Sequence, residues 1–434
     1  MPDSLSVPSG APGRTVWEGR GSTVPSPQGE RFVSFESMWS ALEPVGRNAS
    51  SGGYRRFAWT REDHDLREWF VGECAARGLD LVEDRMGNQW AWWGDPDEAA
   101  RQGRKGVVTG SHLDSVPDGG AFDGPLGVVS ALAAVDALRE KGFEPTRPVG
   151  IVNFVDEEGA RFGVACAGSR VISGAMTARR ARSLTDADGV SMAEALSAAG
   201  RDPHDIGRDP ETLDRVGAFV ELHVEQGRGL VDLDHPVAVA SDIWPHGRWR
   251  LDFGGEANHA GTTRLEDRQD AMLGYAGAVL AAREAAIAHG CVATIGKVAV
   301  TPGGVNAIPS HVTGWLDARG ASPRAVRRAV ADVRAMVEQS GGEVAEESWT
   351  PSTPFDNALT ARLRTRLGGI PVLGTGAGHD AGILANAGIP TAMLFVRNPT
   401  GISHSPAEHA ELGDCLEGVA ALTAVLEDLA GDTP

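Results

Sequence analysis

One stretch constrains this chain more than any other. Residues 149–155 are apolar almost throughout and run directly into Asp156-Glu157-Glu158-Gly159. An apolar run of that length reads as a strand buried on both faces, as in a parallel sheet covered by helices. Three adjacent carboxylates repel one another unless cations or solvent compensate. At the end of a buried strand they therefore suggest a charged ligand. If the chain turns there, one Glu can bind a metal while its neighbour reaches an attacking water.

The surroundings extend this reading. Strand-like runs at 89–93 and 106–109 are followed by a helix rich in Ala, Leu and Val at 126–139 and then by the buried strand. Strand, helix, strand in that order predicts an α/β fold with a largely parallel sheet flanked by helices. Upstream, 34–81 is helical in pattern, with Thr60 as N-cap before 61–77 and Gly78 closing the helix. Near Ser241 the pattern changes. It reads strand 249–253, helix 267–289, strands 294–300 and 310–317, helix 323–339, strand 343–349. That β-α-β-β-α-β order predicts a small two-layer α+β insert. The α/β pattern then resumes with 371–373, helix 381–387, strand 391–396 and helix 413–429. The expected organisation is a disordered Pro/Ser/Gly-rich tail over 1–30, a core domain over 31–240 and 353–434, and the insert over 241–352.

Charge excludes some functions. The net charge is −19, whereas a nucleic-acid binder usually shows a basic balance or patch. The short cluster Arg179, Arg180, Arg182 reads as a solvated helix face. No stretch approaches the roughly 20 uninterrupted apolar residues of a membrane helix, and the N-terminus has no apolar signal core. We expect a cytoplasmic protein without nucleic-acid or membrane partners. Cys74, Cys166, Cys291 and Cys415 are scattered without CxxC spacing, which predicts reduced, mostly buried thiols.

Five places carry candidate chemistry, most of them just after a predicted strand, where α/β sheets bind ligands. His112 and Asp114 are two apart and face the same way in an extended segment, so one can bind a metal that the other orients. In Gly119-Gly120-Ala121-Phe122-Asp123-Gly124 the glycines permit an irregular backbone that thrusts Asp123 inward. Its two oxygens can bridge two cations. A phosphate cradle would need the GxGxxG spacing, which is absent. The others are Asp156-Glu157-Glu158, Glu221-Leu222-His223-Val224-Glu225-Gln226-Gly227, and Gly401-Ile402-Ser403-His404-Ser405. Each contains residues that could equally be structural. Together they form a nitrogen and oxygen donor set suited to zinc, manganese or cobalt.

With these motifs in view, the chain resembles a known family. GSHLDSV, GGAFDGPLGV, FVDEEGARFG, ELHVEQG, HAGTT, GGVNAIP, LDAR, GAGHDA and NPTGISHSPAEH follow one another across 110–409. They resemble the dinuclear metallohydrolases comprising allantoate amidohydrolase, N-carbamoyl-L-amino-acid hydrolase and β-ureidopropionase, relatives of metal-dependent aminoacylases and carboxypeptidases. The resemblance implies a metallopeptidase-like catalytic domain and two divalent ions, Mn2+, Zn2+ or Co2+. Asp123 would bridge them, His112 and His223 would complete one site, and Glu158 and His404 the other. Glu157 would be the general base and Asp114 the partner of His112. Gln226, His259, Asn306, Arg319 and His379 would bind substrate. The insert would be a lid that also makes a homodimer contact and lends His259 to the partner's site. Two features depart from the family: Arg264 stands where HAGTTP has Pro, and the N-terminal tail lies outside the family core. The implied activity is hydrolysis of a C–N bond in a small ureido acid. Allantoate is favoured because 395–399 lacks an apolar pocket signature. An N-carbamoyl or other N-acyl amino acid is the alternative, and a non-catalytic binding protein on the same scaffold is the remote one.

Overall fold

A computed structural model describes residues 34–431; the tail expected over 1–30 lies outside them. The chain divides into two compact units. Among the described residues, one comprises 34–240, 356–372 and 379–431; the other comprises 241–355 and 373–378.

The first unit is built on a nine-stranded mixed sheet. Its centre is four parallel strands in the order Val149–Phe154, Gly106–His112, Val216–Val224, Thr391–Val396. Three of these are buried along their whole length, the pattern of a sheet covered on both faces. The outer pairings are antiparallel. Asp80–Glu83 and Gln89–Trp93 form a hairpin, whose short turn permits no other direction. Val237–Ile243 runs antiparallel to Thr391–Val396.

Helix Pro125–Glu140 packs on the sheet centre and on helix Leu412–Ala430. Most of its residues are buried, which explains its richness in Ala, Leu and Val. Helix Arg61–Ala76 starts at Thr60, whose side chain caps the backbone N–H of Asp63, and Gly78 follows its end at φ 52°.

Three parts of this unit differ from the sequence expectation. The Glu221-Leu222-His223 motif lies within strand Val216–Val224, not on a loop. Strand Val237–Ile243 was not expected. Neither were the short helices Ala167–Ser173, Ala178–Arg182, Met192–Ala198 and Pro210–Asp214. The four cysteines are free thiols; Cys74, Cys166 and Cys415 are buried and Cys291 is half-buried.

The second unit has a four-stranded antiparallel sheet in the order Glu343–Thr350, His246–Gly254, His311–Arg319, Val292–Thr301. Its strands alternate, burying Trp249, Leu251, Phe253, Val312 and Leu316 on one face. Helices Ala271–His289 and Pro323–Gln339 supply the other half of this core. In the second helix Val326, Ala329, Val330, Val333 and Val337 are buried, an amphipathic helix stripe.

Helix Ala271–His289 is long and apolar enough to cross a membrane by length and composition, yet its chain is broken by Arg283-Glu284. Its alanines Ala278, Ala282, Ala285 and Ala286 are buried, while Leu273, Leu280 and Ile287 are exposed.

Candidate metal centre

The centre is assembled at the carboxyl ends of the parallel strands, and Asp123 is its hub. Gly124 takes φ 85° and starts helix Pro125–Glu140. A Cβ there would lie 2.4 Å from the His112 ring, so only glycine lets the loop pass this close. Asp123 Oδ1 lies 3.2 Å from His223 Nε2 and 3.6 Å from His112 Nε2. Its Oδ2 lies 3.4 Å from His404 Nε2, which is 3.6 Å from Glu158 Oε2. Two donor clusters result, His112–Asp123–His223 and Asp123–Glu158–His404, each with its ligand atoms within 4.8 Å of one another.

The imidazoles are aimed by their other nitrogens. His112 Nδ1 faces the Asp114 carbonyl at 3.1 Å and its carboxylate at 3.4 Å. His223 Nδ1 faces the Val224 carbonyl at 2.9 Å. An Nδ1–H held in this way leaves Nε2 as the lone-pair donor. Nε2 of both histidines and Oε1 of Glu158 are buried with no hydrogen-bond partner. Such orphaned groups cost about 1–3 kcal/mol each, a cost that a bound cation would remove. The donors present therefore fit divalent metal ions.

The run of three carboxylates splits three ways. Asp156 has φ 55°, and both of its carboxylate oxygens are buried without partners. Glu157 Oε2 lies 3.8 Å from His112 Nε2, and Glu158 turns to His404. The Asp114 carboxylate accepts the backbone N–H groups of both Glu157 and Glu158, at 3.1 and 3.0 Å. It thus fixes this turn as well as His112. Burial pushes the Glu157 carboxyl well above its ordinary range; His112 opposes this, and Asp380, Glu158 and Asp114 add to it. Burial would also push Asp123 up, but three imidazoles hold it well below the usual range. The hydrogen bond to Asp123 raises His404 to about 9.

The expected substrate residues are placed as follows. Gln226 donates to Asp123 Oδ2 at 2.7 Å and to Ser403 Oγ at 3.1 Å, so its amide sits on the hub carboxylate. His379 is buried with its ring 4.5 Å from that of His223. Burial first, and His223 second, hold it well below its ordinary value, so it is neutral. His259, Asn306 and Arg319 belong to the second unit. His259 is exposed on the two-residue strand Asn258–His259, and its Nδ1 accepts from Gly261 N at 3.0 Å. Asn306 is also exposed, and its carbonyl accepts from Ala260 N at 2.9 Å.

Arg319 is not a free fork. Its Nε and Nη2 donate to Asp317 at 2.8 and 2.7 Å, and Nη1 donates to the Gly376 carbonyl at 2.8 Å. Three of the five guanidinium N–H groups are engaged, leaving one on Nη1 and one on Nη2. Arg264 keeps φ −63°, the value proline would impose, and pairs with Asp267 at 2.8 Å.

Sequence reasoning passed over several residues around the hub. Glu408 accepts the backbone N–H groups of Phe122 and Asp123 at 2.8 and 2.9 Å. Glu221 accepts from Ser111 Oγ and Ala381 N. The Cys166 thiol donates to Glu157 Oε1 at 3.2 Å. The signal for Glu408 was its place four residues after His404. Residues 395–399, in which the sequence shows no apolar pocket signature, make structural contacts. Phe395 and Val396 are buried, Arg397 forms a bidentate pair with Asp414, and Asn398 ties the 398–402 turn.

The chain has relatives among known proteins. Residues 108–428 match peptidase family M20/M25/M40. The chain is 34% identical over 405 residues to an N-carbamoyl-L-amino acid amidohydrolase of Geobacillus stearothermophilus, covering 90% of this chain and 97% of that one. It is 32% identical to the allantoate amidohydrolase of Escherichia coli K12, covering 88% and 94%. A crystal structure of an amidase of the hydantoinase/carbamoylase family from Burkholderia multivorans superimposes with a TM-score of 0.79 at 29% identity, covering 92% and 99%.

Proposed function

The chain belongs to peptidase family M20/M25/M40, and from that premise we propose that it is a dinuclear amidohydrolase cleaving a C–N bond of a small ureido acid. One observation carries the reading: two donor clusters, one buried and one reaching the surface at His404, share the carboxylate of Asp123, with the Glu157 carboxylate beside them. His112 and His223 would hold one ion, Glu158 and His404 the other, and Asp123 both. Manganese, zinc and cobalt suit these ligands. Such ions supply Lewis acidity for the scissile carbonyl and lower a water pKa from 15.7 toward about 7.

The remaining work falls to the chain itself. Glu157 takes the proton of the attacking water and returns it to the leaving nitrogen, a role its raised pKa suits. Asp114 keeps His112 and the Glu157–Glu158 turn in place. The two remaining N–H groups of Arg319 would bind the substrate carboxylate. His259, Asn306, His379 and Gln226 offer polar contacts for the ureido group, with neutral His379 able to donate to a developing oxyanion.

The second unit would act as lid and dimer contact. The exposed Leu273, Leu280 and Ile287 recur every seven residues on one helix face, and Val292–Thr301 is an edge strand with Val292 and Val298 exposed. Apolar stripes and open edges of this kind favour a second copy. In that homodimer His259 would serve the partner's site.

Allantoate and N-carbamoyl-L-amino acids are the two substrate readings. The first is the polar ureido acid expected from the sequence; the second is favoured by the relative at 34% identity. A screen of metal-loaded protein against allantoate, N-carbamoyl and N-acetyl amino acids, following ammonia release and ureide loss, separates them. Turnover of N-acetyl amino acids alone would sink the ureido reading. Unchanged turnover after exhaustive chelation would sink the metal reading.

A further inference from the structure

We propose that Glu408 is a positioning residue for the metal centre, a buried clasp that locks the backbone of Asp123 to the loop carrying His404. Glu408 is 5% exposed. One oxygen accepts the N–H groups of Phe122 and Asp123, the latter 285 residues earlier in the chain. The other accepts the hydroxyl of Ser403, the residue before His404, at 3.1 Å. The Gly119-Gly120 loop is wrapped on this carboxylate: a Cβ at Gly120 would lie 2.4 Å from both Cβ and Oε1 of Glu408.

The arrangement would be costly as scaffolding alone. Ser403 Oγ also lies 3.3 Å from Asp123 Oδ2, and one hydroxyl proton can serve only one of two carboxylates. Among the described residues no Lys or Arg pairs with Glu408. Two carboxylates converging in a buried place repel, unless cations at Asp123 offset them. The clasp therefore makes sense where Asp123 carries metal. It holds Asp123 and the half-exposed loop that carries His404 in one fixed relation. Outer partners of this kind typically contribute about 10–100-fold in metal affinity.

This inference rests on the dinuclear reading above, and the test separates the two. Zinc and cobalt affinity and stoichiometry are measured by chelator competition on full-length wild type, Glu408→Ala and Glu408→Gln, with the visible spectrum of the cobalt form and the melting temperature of metal-free protein. Wild type should bind two ions. Glu408→Ala should bind at least one of them about 10–100-fold more weakly and change the cobalt bands; it also strands two buried N–H groups, so the metal-free melting temperature should fall, and affinities are compared at temperatures where both proteins are folded. Glu408→Gln keeps an amide oxygen for the two N–H groups and should restore affinity to near wild type.

Wild type binding fewer than two ions overturns the dinuclear reading and this inference with it. Wild type binding two while Glu408→Ala binds both with unchanged affinity overturns the clasp alone. Equal loss in Glu408→Gln also overturns it, since charge and not the hydrogen-bonded clasp would then matter. Should Glu408→Ala not fold, Gly120→Ala, which drives a methyl into Glu408, should weaken metal binding in the same way; unchanged affinity there counts against the clasp.

Discussion

The two units hold their polar residues in opposite ways. In the first, His112, Asp123, Glu157 and His223 are buried at strand ends and pinned by several neighbours each. In the second, His259 and Asn306 are exposed on short loops, and Arg319 is half-buried. Buried ligands come preset, because their orientation was fixed when the sheet formed. Exposed ones can adapt, at the expense of ordering on each encounter. The difference suggests a division of labour: chemistry in the rigid unit, recognition in the adaptable one.

Substitutions can break that division. The largest effect is expected from Glu157→Gln, which should lower kcat by about 10²–10⁴ while metal content, read by atomic absorption, stays at wild type. Wild-type turnover would remove Glu157 as base. Next comes His223→Ala set against His404→Ala. Both should lose metal. Only the first should also destabilise the metal-free fold, by about 1–3 kcal/mol from the cavity and the deserted Asp123, because His404 is 52% exposed at its side chain. Equal melting temperatures would erase the distinction between strand-held and loop-held ligands.

Arg319→Lys should act on recognition, raising KM about tenfold with a smaller change in kcat, since Lys cannot reproduce a guanidinium held by Asp317 and Gly376. An effect confined to kcat would move Arg319 into the chemistry.

The pH response should also distinguish the units. Burial, then Asp123, raises Glu158 from 4.5 to about 7, and Asp123 raises His404 from 6.5 to about 9. Both folded values lie above the unfolded ones, so the folded protein holds extra protons, and stability falls as pH rises between about 5 and 9. Metal-free protein should show this decline in melting temperature, and divalent cations should flatten it. A flat metal-free profile would count against protons occupying the ligand positions. In the second unit the hydrogen bond from Arg327 holds Glu346 low, so its contribution is lost only in acid. The smallest effect is expected from Arg264→Pro. The backbone already has proline's φ, so stability should stay within roughly 0.5 kcal/mol, read by thermal melting; a large loss would show that the ion pair to Asp267 matters.

Much of this was legible in the sequence where pattern and position agree. Strands 89–93 and 391–396 and helix 323–339 follow from local periodicity, and the parallel pairing of Gly106–His112 with Val149–Phe154 from the strand–helix alternation. Strand Val216–Val224 was hidden because Glu221 and His223 interrupt its apolar run; their burial is satisfied by tertiary partners that no local window contains. The short helices between 167 and 214 lack periodicity because they are one or two turns long. At the centre, residue types and spacing picked out the candidates, and the family resemblance assigned their roles. The clasping of Asp123 by Glu408 and Gln226 could not be read, since it depends on backbone N–H groups brought together from the far end of the chain. Arg319 shows the reverse: the resemblance implied a substrate-binding residue, and Asp317 and the Gly376 carbonyl together occupy three of its five N–H groups.

The parallel pairing of Val216–Val224 with Thr391–Val396 has a consequence for the chain as it is made. The second unit's four-stranded sheet comes from one uninterrupted stretch, 246–350, and can close as soon as that stretch is available. The central sheet of the first unit cannot. Until Thr391–Val396 emerges, Val216–Val224 is paired on one side with Gly106–His112 and open on the other as an apolar edge, and edges of that kind recruit other chains. The last tenth of the sequence thus decides whether the growing protein becomes an enzyme or a nucleus for association.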